Sequence, residues 1–311
     1  MDAKIIAVCI SDAKGKGKTE IPVAKLIKDH GIENDVHAGK WHRQVSLLDN
    51  EKIQEMIAKG VEVNIGDFGE NIITEGIELE KLIIGTKLRI GSDVILQVTQ
   101  IGKECHTPCA IYYSVGYCIM PESGVFTKVL HAGEIKKGDS IDIIETPNTF
   151  KVGIVVVSDS ASKGERISTT EAIIEKLITQ NGGIVKNIQI VDDEIDQISS
   201  ILKDMSDIKM LDLIITTGGT GLSPRDNTPE ATIQSIDREI PGFSEAMRME
   251  TFKITKRAIL SRGVTGFRGK TMIINLPGSP KGVEQCLNVV REAIPHALEL
   301  LKGNVNNCAD D

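Results

Sequence analysis

The run Lys151-Val-Gly-Ile-Val-Val-Val157 constrains this chain more than any other segment. It is apolar without alternation, so as a strand it is buried on both faces, and that requires helices on both sides of its sheet. It follows Glu145-Thr-Pro147-Asn-Thr-Phe150, a short polar break, and the pattern of the chain changes there. We place a domain boundary at residue 147, giving two domains, 1–147 and 148–311, a division that the length of 311 residues accommodates.

Beyond the break, strands over 151–157, 184–191, 211–216 and 271–276 alternate with helices over 169–180, 195–205, 229–237 and 281–302. This order predicts an α/β doubly wound, mostly parallel sheet with right-handed crossovers. Before the break, short β runs over 4–10, 44–48, 87–90, 94–101 and 140–144 are separated by Gly turns, with helical periodicity only over 49–59. That predicts a mostly-β, mostly antiparallel barrel or sandwich. Aromatic residues are only 3%, so both cores are expected to be built from Ile, Val and Leu.

Charge excludes one function class. Residues 1–150 carry 17 Lys and Arg against 22 Asp and Glu, and the remainder 19 against 22, so neither half presents a basic nucleic-acid surface. No signal-peptide pattern and no run of about 18 apolar residues is present, so a cytoplasmic protein with no membrane span is expected. Its six cysteines are then expected to be reduced. Cys9, Cys286 and Cys308 are scattered, whereas Cys105, Cys109 and Cys118 cluster.

In an open α/β sheet the ligand sits beyond the carboxyl ends of the strands. Those ends carry Ser158-Asp159, Asp192-Asp193-Glu194, Thr217-Gly-Gly-Thr-Gly221 leading to Ser223-Pro-Arg225-Asp226, and Pro277-Gly278. Glycines at 218, 219 and 221 let backbone approach a phosphate, and they equally make a tight turn. Thr228-Pro229-Glu230 starts a helix, which leaves Arg225 and Asp226 on the loop without a structural duty. Asp193 and Asp226 beside a phosphate loop suit Mg²⁺, while Asp193 also reads as a helix cap.

With Pro224-Arg-Asp-Asn-Thr-Pro-Glu-Ala231, Glu239-Ile-Pro-Gly-Phe243, Leu260-Ser-Arg262 and Asn275-Leu-Pro-Gly-Ser-Pro280, the stretch 150–303 resembles the molybdopterin adenylyltransferases, the MogA and gephyrin G-domain family. The resemblance implies a compact α/β domain, a homotrimer, and transfer of AMP from ATP to molybdopterin with release of pyrophosphate, in molybdenum cofactor biosynthesis. It implies Asp193 and Asp226 as catalytic acids and holders of Mg²⁺. Ser158, Asp159, Thr217, Gly218, Gly219, Thr220, Gly221, Ser223, Arg262, Pro277 and Gly278 are implied to bind the ligands. The sequence departs from the family where Ser168 replaces an Asp and Thr170-Glu171 replaces Ser-Gly. A non-catalytic carrier or sensor of the pterin is the alternative those departures raise.

In the first half, Gly31 to Gly39, Arg43-Gln-Val-Ser-Leu-Leu48, Gly66-Asp-Phe-Gly-Glu-Asn-Ile72 and Gly124-Val-Phe-Thr-Lys-Val-Leu130 resemble a MOSC domain. That resemblance implies a barrel-like fold that binds molybdenum cofactor or carries sulfur on one cysteine, Cys109, and a family-level association with pyridoxal phosphate. A molybdate-inserting protein or a molybdoenzyme is its implied partner. Asn34-Asp35-Val36-His37 stands where that family has Gly-Asp-Arg-His, so one basic residue is missing. Cys109 reads as a nucleophile whose thiolate Lys103, His106, Arg43 or His37 could favour, as a zinc ligand with Cys105 and Cys118, or as a buried side chain. Trp41 and the Tyr112, Tyr113, Tyr117 group read as pterin walls or as core. A nucleotide-binding enzyme with a zinc-bearing β domain is the third reading; the combined motifs speak against it.

Overall fold

The computed structural model describes residues 3–14, 16–103, 112–113, 116–162 and 169–303, the side chains of 160 and 161 excepted. The chain separates into two compact units, Met1–Pro147 and Asn148–Asp311.

The first unit comprises β1 (Lys4–Ile10), β2 (Thr19–Glu20), β3 (Val23–Ile27), β4 (Gly31–Ile32), β5 (Val45–Asp49), α1 (Asn50–Ala58), β6 (Ile72–Glu75), β7 (Lys87–Ile90), β8 (Val94–Ile101), α2 (Met120–Ser123), β9 (Val125–His131), β10 (Gly133–Lys136) and β11 (Ile141–Glu145). Eight strands form one sheet in the order β11-β7-β8-β9-β5-β6-β1-β2, and β10-β3-β4 form a second. The pairs are antiparallel except β5 with β6. The larger sheet curls back on itself: the turn before β11 bonds to β1 through Ile5 N to Asp139 O and Gly138 N to Ile5 O, each 2.9 Å. Ile5, Leu47, Ile72, Leu88, Leu96 and Val125 are among the fully buried aliphatic residues of its core. The two-residue strands β2 and β4 are too short to show a period of two, and no expected run covers β3, β6, β9 or β10.

The second unit comprises β12 (Phe150–Val157), α3 (Asp159–Ser162), α4 (Thr170–Thr179), β13 (Gly183–Val191), α5 (Ile195–Lys203), β14 (Leu213–Thr217), α6 (Thr228–Ile233), β15 (Arg238–Glu239), α7 (Pro241–Ile254), β16 (Thr265–Arg268), β17 (Thr271–Leu276), α8 (Pro280–Val290) and α9 (Ile294–Lys302). Its sheet runs β13-β12-β14-β17-β16-β15. The first four strands are parallel and the last two antiparallel, so the sheet is mixed. Alternate residues of β12 reach opposite cores. Val152, Ile154 and Val156 pack with Ile174, Ile178, Val283 and Leu287, whereas Val155 and Val157 pack with Ile198, Leu202 and Ala231. Helices therefore cover both faces, as the unalternated run demands.

Three helical details differ from the sequence reading. The helix expected over 195–205 gives way after Lys203 to a π-turn at Asp204–Ile208. The single helix expected over 281–302 is two, because Pro295 at the first turn of α9 cannot continue α8. Helix α7 went unread because Met249, Phe252 and Ile254 lie exposed and blur its apolar stripe. Among the described residues, no helix is long and apolar enough to cross a membrane.

One buried acid gives the first unit a pH signature. Glu70 is 0% exposed; its Oε1 accepts the Gly66 N–H at 2.7 Å and its Oε2 has no hydrogen-bond partner. Burial pushes its carboxyl up to about 7, against about 4.3 in an unfolded chain. The folded state holds a proton that the unfolded state releases. This contribution to stability is present below about pH 4.3 and is lost as pH rises through about 7. Burial raises Asp49 in the same direction, to about 7. We expect Glu70→Gln to reduce, without abolishing, the loss of stability between about pH 5 and 8, by on the order of 2 kcal/mol. Urea unfolding followed by the emission of Trp41 measures this, and an unchanged slope contradicts it.

Candidate active site

The four parallel strands deliver their carboxyl ends to one edge of the second unit. Gly218 and Gly219 follow β14 with φ of +100° and +60°, a region that favours glycine. A Cβ on Gly218 would overlap the Val157 carbonyl oxygen, and one on Gly219 would overlap Asp193 Oδ1 and Thr228 Oγ1. The loop is pinned from both sides. Gly218 N donates to Leu276 O at 3.2 Å, Thr217 Oγ1 to Pro277 O at 2.9 Å, and Thr228 Oγ1 to Gly218 O at 2.9 Å. The N–H of Thr228 is spent on Gly219 O, so α6 hangs directly from the loop.

Asp193 is 9% exposed, and its Oδ1 is buried with no hydrogen-bond partner among the described residues. It does not cap α5, whose N-cap is Glu194 and whose first turn receives no side-chain bond. Burial first, and then the charges of Asp159 and Asp226, push its carboxyl up to about 6. Asp226 closes the turn from Ser223, its N–H donating to Ser223 O at 2.9 Å and its Oδ2 accepting the Ser223 N–H at 2.8 Å. The two carboxylates thus sit beside the glycine loop and feel each other's charge.

The neighbouring acids are neutralised. Arg225, which the sequence left without a duty, bonds both oxygens of Asp159 at 2.8 and 2.9 Å and Glu194 at 2.6 Å. Asp159 in turn accepts the Asp193 N–H at 3.1 Å. Arg262 donates to Gly221 O at 2.7 Å, to Asp226 O at 2.5 Å and to Glu230, and holds the Glu230 carboxyl below its usual range. Arg262 and Asp159 therefore prop the loop, and neither lines an adjoining cleft.

Two clefts meet at this loop. The larger, about 470 Å³, is lined by Gly219, Thr220, Gly221, Asp226, Pro277 and Gly278 at its inner end and by Arg248 and Arg257 farther out. The smaller, about 240 Å³, is lined by Ser158, Thr170, Asp193, Thr217, Gly218, Gly219 and Gly278. Gly219 and Gly278 belong to both, and Asp226 and Asp193 stand one in each. Ser223 borders neither cleft and shapes the Asp226 turn. Among the described residues no group of three or more His, Cys, Asp or Glu could hold a metal. Asp193 and Asp226 suit a hard cation whose remaining ligands are phosphate oxygens and water. The unpartnered Asp193 Oδ1 leaves one acceptor for it.

In the first unit, Lys18 and Asp35 form a buried ion pair, Nζ to Oδ2 2.6 Å, with both side chains at most 2% exposed. Asp35 also accepts from Ser11 N, His37 N and Asn71 Nδ2 at 2.8–3.1 Å. Burial opposes the charge of Asp35, yet the His37 bonds and the Lys18 charge outweigh it and hold the carboxyl well below its usual range. Lys18, His37, Arg43, Lys103 and Trp41 line a common cavity. Cys105, His106, Cys109, Ser168 and Cys308 lie outside the described residues. Tyr112, Tyr113 and Tyr117 are exposed, at 41%, 74% and 41%, and line no part of that cavity. Burial pushes the Cys9 thiol up to about 12 and the Cys286 thiol to about 11, so neither is a thiolate near neutral pH.

An open, doubly wound sheet with acids and a glycine loop at its strand ends defines a phosphate-handling α/β domain. A family profile described as "Probable molybdopterin binding domain" matches residues 153–296, and a "MOSC domain" profile matches residues 34–142. A molybdopterin adenylyltransferase of Helicobacter pylori J99 is 42% identical over 158 residues, covering 50% of this chain and 90% of that protein. The Escherichia coli K12 molybdopterin adenylyltransferase is 35% identical over 170 residues, covering 50% of this chain and 87% of that protein. Among solved structures, the molybdopterin biosynthesis enzyme MoaB of Thermus thermophilus aligns with 48% identity and a TM-score of 0.48, over 50% of this chain and 98% of that one. The chain belongs to the molybdopterin adenylyltransferase family through its second unit, and it carries a MOSC domain ahead of that unit.

Proposed function

We propose that the second unit transfers AMP from ATP to the terminal phosphate of molybdopterin and releases pyrophosphate, as a step of molybdenum cofactor biosynthesis. The observation that carries this reading is the pair of clefts sharing Gly219 and Gly278, with one unneutralised acid in each. Two substrates seated in separate clefts bring their phosphates together where those glycines leave room. A pterin phosphate oxygen then attacks the α-phosphorus of ATP; the new P–O bond forms as the α–β bridging bond breaks and pyrophosphate departs. Asp193 and Asp226 would hold Mg²⁺, which when bound offsets charge on the phosphates. The glycine loop fixes the phosphates in place, Arg225 keeps Asp159 against the Asp193 backbone, and Arg262 keeps the Asp226 carbonyl in position.

We expect Asp226→Asn to keep the Ser223 bond and the melting temperature while lowering pyrophosphate release by at least about 100-fold. Asp193→Asn should act alike. Near-normal turnover in Asp226→Asn, or an Asp193→Asn defect confined to melting temperature, removes the assigned roles.

We read the first unit, with its curled eight-stranded sheet, as a barrel-like MOSC fold that binds the cofactor or carries sulfur on Cys109 for a molybdate-inserting protein or a molybdoenzyme. Alkylation is expected to label Cys109 ahead of Cys9 and Cys286, whose thiols burial holds protonated. Equal labelling of the three by peptide mass spectrometry contradicts it. The family reading also carries a cytoplasmic homotrimer, and a light-scattering mass of one chain would exclude the trimer.

A further inference from the structure

The two acids that face the clefts of the second unit are held unequally. Asp226 is fixed through its own side chain, which accepts the Ser223 N–H at 2.8 Å. Asp193 Oδ1 is buried and accepts no hydrogen bond among the described residues. Yet both carboxylates stand against the glycine loop. A Cβ on Gly219 would lie 2.4 Å from Asp193 Oδ1, and one on Gly221 would lie 2.9 Å from Asp226 Oδ2. Those glycines are two positions apart, so their Cα atoms are within about 7 Å of each other. Two carboxylates placed so closely need a support that fixes the direction of each.

Asp193 is supported through its backbone, and both supports come from the residues flanking Asp226. On one side, Asn227 Nδ2 donates to Asp193 O at 2.7 Å. On the other, Asp193 N donates to Asp159 Oδ1 at 3.1 Å, and Arg225 grips that carboxylate through Nε at 3.1 Å and Nη2 at 2.8 and 2.9 Å. Arg225 Nη1 also reaches Glu194, the residue after Asp193, at 2.6 Å. The N–H and the C=O of Asp193 are thus tied to the two sides of Asp226. Asn227 stands at the N-cap of α6, but its side chain makes no capping bond to that helix. The Arg225 side chain is 53% exposed, and exposed ion pairs add little to stability. Helix capping and stability therefore leave the geometry of these two side chains unexplained.

We propose that Arg225 and Asn227 are positioning residues, which fix the Asp193 carboxylate against that of Asp226 so that the two share one divalent cation at the glycine loop. The proposal rests on the reading that these two acids hold a cation, and on no step of adenylyl transfer. Neither Arg225 nor Asn227 lines either cleft, so both act through Asp193. Positioning and plain electrostatics predict opposite signs for Arg225. Removing a cation from beside the acids strengthens their attraction for a metal ion by Coulomb's law. Removing a positioning bond loosens the pair and weakens it.

The full chain is titrated with Mn²⁺ alone, an ion that shares the oxygen-ligand preference of Mg²⁺, and free metal is followed by electron paramagnetic resonance. Saturable binding is expected, and Asp193→Asn and Asp226→Asn should each abolish it. Arg225→Gln and Asn227→Ala should each weaken it about tenfold or more, the scale of misplacing a group that must sit precisely. Asn227→Ala leaves both ion pairs of Arg225 in place, so it decides the matter if Arg225→Gln does not fold. Arg225→Lys keeps the charge without the fork on Asp159, and should fall between the unmodified chain and Arg225→Gln. Asp159→Ala should weaken binding as Arg225→Gln does, and adding Arg225→Gln to it should weaken binding no further. Pyrophosphate release separates this proposal from the proposed function. A chain that binds Mn²⁺ in this pattern and releases no pyrophosphate loses the adenylyl-transfer reading and keeps the positioning role. Absence of saturable Mn²⁺ binding, unchanged or tighter binding in Arg225→Gln or Asn227→Ala, or a further loss when Arg225→Gln is added to Asp159→Ala overturns the proposal.

Discussion

The second unit depends on one close approach of backbone to backbone. Gly218 lies so near the Val157 carbonyl that a side chain there has no space, and Gly278 would place a Cβ 3.1 Å from Gly218 Cα. Strands β12, β14 and β17 can therefore end at one level with their loops in contact. Thr217 and Thr228 lock the arrangement with hydroxyl bonds to Pro277 and Gly218. Both clefts, and the separation of Asp193 from Asp226 into one each, follow from that contact.

Pairing divides the charges of each unit into two sets. In the second unit Arg225 neutralises Asp159 and Glu194, and Arg262 neutralises Glu230, which leaves Asp193 and Asp226 without an ion pair among the described residues. The paired acids build the loop and the unpaired ones face the clefts. In the first unit the signs are reversed: Lys18 is paired with Asp35, while among the described residues no carboxylate pairs with Arg43, Lys16 or Lys103. A buried or clustered charge left unpaired is costly, and that cost is what a ligand of opposite sign relieves. By this criterion the second unit suits a cation carried with phosphates, and the first suits an anion.

The sequence by itself determined the layered architecture of residues 150–303 and the cluster of small and acidic residues at its strand ends. An unalternated apolar run admits few foldings, and motifs such as Thr217-Gly-Gly-Thr-Gly221 lie close together along the chain. It also located strands β1, β5, β7, β8 and β11 of the first unit, as apolar-rich runs set between turn signals. Only the tertiary structure decided the rest, because those features are contacts between residues far apart in the chain. Arg225 looked idle until Asp159, 66 positions earlier, came within 2.8 Å. Taken alone, Asp193 read as a helix cap, until the fold gave the N-cap of α5 to Glu194 and left Asp193 Oδ1 unpartnered. Lys18, on the segment before β2, meets Asp35 and His37, 17 and 19 positions further along the chain. Spacing along a chain records local periodicity; which charges meet, and which are left unmet, is set only when strands distant in sequence are packed together.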